Sequence, residues 1–319
     1  MTYILLMGGL GNQLFQLAGA LSHAEANSSV ALLDKIGNPK RDKFGSLEIS
    51  SFLLPNNVTI EEIDIQSVLL RKALNLGIRL SARRNVTRLT ANGYTFFSRV
   101  LAFILGEKDR YASISNGVGF DRNFKINKKG INISYFQSAK YVYDPQTILL
   151  VRNLKLINTS SNFSSLAERA KAEDPIVVHI RLGDYRNEDS FGIPSMLYYG
   201  NSLELLTSRY PTSSIWLFSN EPEEAIHLIP EVFRQNIYVV PGADLSSAET
   251  LELMRYGKAY IIGNSSFSWW GATLSYNENV EVICPRPWFK NMPEPIKLVP
   301  ENWLRLDANY EISSTEFRP

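Results

Sequence analysis

The sequence predicts an α/β protein of two domains, and three observations predict it. The first residues read as strand, glycine turn, helix and strand in succession. The second half alternates apolar runs with helical spacing four times over. At roughly 150 residues per domain, 319 residues fit two such units better than one. Hydrophobic residues at 45% and charged ones at 20% supply enough apolar material for a sizeable core.

In chain order, Tyr3 to Met7 is a short apolar run that suits a strand buried on both faces. Gly8-Gly9-Leu10-Gly11 turns the chain. Leu14, Leu17, Ala18 and Leu21 then recur at helical spacing, and Val30 to Leu33 reads as a second strand, completing a βαβ unit. Residues 65 to 106 hold seven basic residues (Arg71, Lys72, Arg79, Arg83, Arg84, Arg88, Arg99) and no acidic one. Interleaved leucines and isoleucines suit surface helices. Either their charges pair with acids elsewhere, or this face rests on anionic lipid headgroups or an anionic acceptor.

A polar stretch from Asn158 and a short helix to Asp174 mark a boundary, giving domains 1–170 and 171–319. Beyond it, Ile176 to Ile180, Ile215 to Phe218, Ile237 to Val240, Ala259 to Ile262 and Val280 to Ile283 read as strands. Helices are expected over Met196 to Arg209, Glu221 to Ile229 and Ala248 to Lys258, with one more before Val280. That alternation argues for a mostly parallel sheet wound on both faces, and for two such domains facing each other across a cleft.

Charge and composition exclude several classes. The net charge is 33 − 32 = +1, so no global field draws in nucleic acid. A single cysteine, Cys284, excludes a disulfide framework and a thiolate metal site. Three histidines (His23, His179, His227) argue against a multi-histidine metal centre. No run reaches the roughly 18 to 20 apolar residues that span a bilayer. The N-terminus has no basic region of a cleaved signal. A cytoplasmic protein is the expectation.

Four segments at predicted strand ends carry the candidate chemistry, because open α/β sheets bind ligands there. In Gly8 to Gln13, glycines let a backbone approach a ligand and a helix start offers free N–H groups. Asp34, about 20 residues on, imitates a dinucleotide fold's ribose-binding acid, although Leu14 stands where a third glycine is wanted. The alternative is a tight turn only. In His179-Ile-Arg181-Leu-Gly183-Asp184-Tyr185, Arg181 offers a permanent fork for a diphosphate and Gly183 permits a turn that returns Asp184. The alternatives are a buried Arg181–Asp184 pair that fixes a loop, and a structural His179.

In Phe218-Ser219-Asn220-Glu221, Ser219 or Asn220 caps a helix, or a carboxylate accepts from the N1–H and 2-amino group of guanine. In Gly263 to Gly271, Asn264, Ser265, Ser266 and Ser268 open a helix around Phe267, where donors and dipole favour phosphate. Trp269 and Trp270 either stack on a sugar or pack the core. No Asp-x-Asp occurs, so a fixed metal under a diphosphate is not expected, and leaving-group charge falls to Arg181 and the helix start.

These segments closely resemble the α1,2-fucosyltransferase family, inverting enzymes that use GDP-fucose. The matching stretches are Gly8 to Gln16, His179 to Tyr185, Phe218 to Glu221 and Asn264 to Leu274, in the family's order and spacing. The resemblance implies a GT-B type fold of two Rossmann-like domains and transfer without a metal or other cofactor. GDP-fucose would sit on the C-terminal domain, with Arg181 at its diphosphate and Asn264 to Ser268 as its binding loop. A galactose-terminated oligosaccharide or lipid-linked glycan would be taken on the N-terminal side.

Donor contacts are expected from Gly9, Gly11, Asn12, Arg181, Ser219, Asn220, Glu221, Asn264, Ser265, Ser266, Phe267 and Ser268. The family usually reads Phe-Ser-Asp-Asp at the third segment, followed by a tryptophan. Here Asn220 and Glu221 stand in those places, and Ala225 near the tryptophan's, so Glu221 is the first candidate for guanine and Asn220 the second. Asp184 is the first candidate base and His179 the second. Two readings compete with fucosyl transfer: a nicotinamide-dependent oxidoreductase using Gly8 to Gly11 and Asp34, and a non-catalytic carbohydrate-binding protein using the tryptophans.

Overall fold

The computed structural model describes all residues except 25–27, 37–45, 82–85, 116–118, 123 and 311–319, and all side chains outside these except those of 35 and 36. Arg83 and Arg84 of the basic segment therefore lie outside the described residues. The chain forms two compact units. Unit 1 is Met1–Ile157 with Pro295–Pro300, and unit 2 is Asn158–Glu294 with the segment from Glu301 on.

Unit 1 is built on strands β1 (Thr2–Leu5), β2 (Val30–Ile36), β4 (Val58–Ile63), β5 (Ala112–Ile114) and β6 (Ile131–Ile133). They form one parallel sheet in the order β4-β2-β1-β6-β5. A two-residue pair, β3 (Phe52–Leu53) with β7 (Lys155–Leu156), lies apart from it. Helices α1 (Leu10–His23), α2 (Val68–Ser81), α3 (Arg88–Ile104), α4 (Ala139–Val142) and α5 (Pro145–Arg152) complete the unit. The expected first βαβ unit is present as β1-α1-β2. Residues 35 to 170, where the sequence predicts no strand, supply β3, β4, β5, β6 and β7.

Unit 2 holds β8 (Ile176–Ile180), β9 (Ile215–Ser219), β10 (Ile237–Val239), β11 (Ala259–Ile262), β12 (Glu281–Arg286) and β13 (Leu304–Asp307). Its helices are α6 (Ser161–Glu173), α7 (Met196–Arg209), α8 (Pro222–Ala225), α9 (Glu231–Arg234), α10 (Ser247–Met254) and α11 (Ser266–Thr273). All six strands are parallel in the order β10-β9-β8-β11-β12-β13. Counting from β8, this is the 3-2-1-4-5-6 order of a doubly wound sheet, whose switch point lies between β8 and β11. Every residue of β8 and β11 is buried, which is why Ile176 to Ile180 and Ala259 to Ile262 read as unbroken apolar runs.

The boundary falls between Ile157 and Asn158, ahead of the expected 170/171. The polar stretch at Asn158 is the start of α6, with Ser160 as its N-cap accepting from Phe163 N–H. The Ser160 N–H in turn donates to Glu249 Oε1 at 2.6 Å, tying α6 to the start of α10 in unit 2. Glu221 to Ile229 is also not one helix: α8 ends at Ala225 and a 3-10 turn, Ile226–Leu228, follows.

Candidate active site

The site begins with strand register. His179 at the end of β8 lies opposite Ile262 of β11 on one side and Phe218 of β9 on the other. Three loops, Arg181 to Asn187, Ser219 to Glu221 and Gly263 to Ser265, therefore leave the sheet side by side at its switch point. The Gly263 N–H donates to the His179 carbonyl at 3.1 Å, closing two of them together.

Gly183 sits at φ +57°, in the left-handed region that glycine adopts without strain. A Cβ there would stand 2.6 Å from Asn220 Nδ2. The resulting 3-10 turn, Gly183–Asn187, carries Asp184 back to Arg181. Asp184 Oδ1 accepts from both Nε and Nη2 of Arg181, each at 2.9 Å. The expected pair exists, but it is half-exposed rather than buried, so it contributes little to stability. What it does is orient the guanidinium.

His179 is buried, with its ring 5.7 Å from that of Phe267 and, among the described residues, no hydrogen-bond partner for Nδ1. Burial, and then the charge of Arg181, push its pKa down to about 3. The imidazole is therefore neutral near neutral pH, and its burial keeps it from a hydroxyl in solvent. Tyr185 is half-buried, its hydroxyl donating to the Asn264 carbonyl at 3.2 Å. Burial raises its pKa to about 12, so it remains a donor.

Asn220 and Glu221 are both engaged. Asn220 Oδ1 accepts the Leu182 N–H at 2.9 Å, which clamps the arginine loop. Ser219 Oγ accepts the Glu221 N–H at 3.0 Å, so Ser219 holds this corner rather than capping a helix with an acidic partner. Glu221 Oε2 takes Arg186 Nη1 at 2.5 Å, with Glu224 a further 3.9 Å neighbour of Arg186. Sequence reasoning gave Arg186 no role. Its only signal was a cation next to Tyr185 in a segment already rich in function.

The loop before α11 divides its labour. Asn264 is buried, and its amide donates to the carbonyls of Phe191 (2.8 Å) and Gly192 (3.0 Å). Ser265 is the N-cap, accepting the Phe267 N–H, and Ser268 is buried with its hydroxyl on the Ser265 carbonyl. Only Ser266 and Phe267 reach the surface. Three of the four small polar side chains thus build the helix start, and the backbone N–H groups there are what a ligand can use. Trp269 and Trp270 are fully buried and meet edge to face at 5.1 Å, with Trp303 beside Trp269. They are core, and the sugar-stacking reading is overturned.

The glycine motif of unit 1 works differently. Gly8, at φ +72°, and Gly9 lead into α1, whose N-cap offers no side chain. Glu48 fills that place: its Oε2 accepts the Leu10 N–H at 2.6 Å. A diphosphate at this helix start would meet a carboxylate. Gln13 is buried, its amide donating to the Gly8 and Ser46 carbonyls and accepting from Glu48 and Ile49 N–H. Gln16 accepts the Met7 N–H, and Asn12 accepts from Gln137 at 2.6 Å. Gly11 and Asp34 are buried. The motif is a staple of buried amides, and the nicotinamide reading loses its phosphate site to Glu48. Nothing in the sequence set Glu48 apart.

Among the described residues no group of three His, Cys, Asp or Glu side chains is arranged to hold a metal ion. No described helix is long and apolar enough to cross a membrane. An arginine fork and a helix start lie together at the switch point of a parallel sheet, and the family and relatives that this chain matches make it a glycosyltransferase. The chain belongs to glycosyl transferase family 11, whose family model matches residues 1–303. It is 27% identical over 313 residues to an α-1,2-colitosyltransferase of Escherichia coli, covering 95% of this chain and 97% of that one. It is equally 27% identical to the Escherichia coli O-antigen biosynthesis glycosyltransferase WbnK, over 95% of this chain and all of that one. Among solved structures it is similar to E. coli ADP-heptose heptosyltransferase II, with a TM-score of 0.48, 11% identity, and coverage of 96% of this chain and 90% of that one. The fucosyltransferase NodZ from Bradyrhizobium gives 0.44, 15% identity, and 86% and 93%.

Proposed function

We propose that the protein transfers L-fucose from GDP-β-L-fucose to the 2-hydroxyl of a galactose on a glycan, inverting the anomeric centre to α, with no metal taking part. The observation that carries this reading is the register that sets the Arg181 loop beside the start of α11. The guanidinium, oriented by Asp184, and the backbone N–H groups at the start of α11 that Ser265 does not cap receive the diphosphate. Their attraction grows as the sugar–phosphate bond loosens and charge collects on the leaving group, which is the condition for catalysis. The acceptor hydroxyl attacks the opposite face and loses its proton late, to a carboxylate; Asp184 is exposed and takes that role ahead of the buried His179. Glu221 stays ahead of Asn220 as the reader of guanine. Its Oε2 is held by Arg186, whereas the Asn220 carbonyl oxygen is already given to Leu182.

The relative named as an α-1,2-colitosyltransferase favours the α1,2 linkage and also supports a second donor, one carrying colitose. Incubation of the protein with a galactosyl acceptor and each donor separately, followed by linkage analysis of the product, tests the proposal. An α1,2-fucosyl product supports it. Transfer of colitose alone selects the second donor, and a product at another hydroxyl overturns the linkage.

A further inference from the structure

We propose that the outer face of α2 and α3 is a docking surface for an anionic lipid bilayer, lying on the headgroups without crossing them. The observation is an inverted helix. Toward its unit, α3 buries Ala91, Tyr94, Ser98 and Ala102. Toward solvent it turns Leu89 (84% exposed), Phe96 (70%), Phe97, Val100, Phe103 (64%) and Ile104 (72%). At 100° per residue these six fall within an arc of about 120°, opposite the buried one. A globular helix normally does the reverse, and an apolar patch of this kind marks an interaction site.

The neighbouring helix extends the face. The Tyr94 hydroxyl donates to the Ala73 carbonyl at 2.7 Å, and Gly77 admits the Tyr94 ring, so α2 and α3 pack closely. Both contribute to one buried cluster with β5 and β6, so they cover the same side of the unit 1 sheet. On its outward side α2 exposes Val68, Leu69 and Leu76 with Lys72 and Arg79 between them.

Charge decides the occupant. Between residues 65 and 106 there is no acidic residue, while Lys72, Arg79, Arg88 and Arg99 lie on or beside the exposed apolar side chains. Lys108 lies over the ring of the exposed Phe103, which puts a cation on the patch itself, while the guanidinium of Arg99 lies over the ring of the buried Tyr111. Glu107, the first acid after α3, has its carboxylate on the Ser67 N–H. Apolar side chains bordered by cations match an interface of acyl chains under anionic headgroups, with the long basic side chains reaching back to phosphate. A second copy fits badly, because a two-fold contact places the same basic patch against itself.

The test is co-sedimentation of the full chain with vesicles of phosphatidylcholine alone or with about one third phosphatidylglycerol. Binding to the anionic vesicles is expected, falling at least roughly tenfold when salt rises from about 0.05 to 0.5 M. The variant F96Q/F103Q should lose at least roughly tenfold at low salt while its thermal unfolding is unchanged, because both side chains are exposed. Should that variant fold poorly, F97W supplies an independent readout: its emission shifts to the blue on adding anionic vesicles. Equal binding to both vesicle types, or none, overturns the proposal. So does a dimer in the ultracentrifuge that F96Q/F103Q dissolves.

Discussion

At the scale of single residues, side chains that look alike in the sequence divide into those that build the site and those left for a ligand. Asn264, Ser265 and Ser268 spend their polar atoms on the local fold, whereas Arg181 spends two N–H groups on Asp184 and keeps the rest of its fork. Gly183 is held to glycine by conformation and by space. G183A is expected to cost about 1–2 kcal/mol of stability, from φ strain and from displacing Asn220 off the Leu182 N–H. Urea unfolding measures this, and a variant as stable as the parent contradicts the clamp. In unit 1, Glu48 acts as the missing cap of α1. E48A should lower the melting temperature by about 3 °C, for the roughly 1 kcal/mol of a lost cap and dipole partner. GDP affinity should not change, because the donor is assigned to unit 2. A calorimetric GDP titration in which E48A weakens binding would transfer part of the donor site to α1.

Among the elements, strand β8 and helix α11 frame the candidate site, and α10 shows how a helix start is held. Glu249 closes a capping box with Ser246 and also accepts from Ser160 N–H. Burial disfavours its charge, but the hydrogen bonds from Ser246 and Ser160 outweigh that and hold its pKa down to about 2, against an ordinary 4.5. The ionised form therefore favours the folded state. That contribution is complete above about pH 4.5 and is lost as the pH falls toward 2. E249Q should destabilise the protein at pH 7 by about 1–2 kcal/mol, and by clearly less at pH 3, where the unfolded parent already holds a proton on this carboxyl that the folded state does not. Unfolding at the two pH values gives the answer, and an equal loss at both would remove the carboxylate from the account. Elements of this second unit were legible because β8 and β11 are buried on both faces and appear as plain apolar runs. The strands of residues 35 to 170 were not: β5 and β6 have three residues each, too few to display a period.

For the whole molecule, the sequence pattern announced two α/β units, and the large sheet of each is parallel as expected. It missed that Pro295–Pro300 returns to unit 1 before the chain re-enters unit 2 as β13, since such a crossing leaves no local signature. The candidate site was readable in part. Strand-end motifs located it, and Arg181, Asp184 and the α11 start stand where the motifs put them. What could not be read was which polar atoms the fold itself consumes, as with Asn220 on Leu182 N–H, because that depends on register between distant strands. The inverted face of α3 was visible only as interleaved apolar and basic residues until burial showed which side faces inward.

The central claim, that unit 2 holds the donor diphosphate through Arg181 at the switch point of its sheet, is tested most directly by calorimetric titration of GDP. Binding to the parent protein is expected, with Kd raised at least roughly tenfold in R181A and only partly restored in R181K, because an ammonium cannot present a fork. An R181A protein that folds normally and binds GDP as tightly as the parent would contradict it.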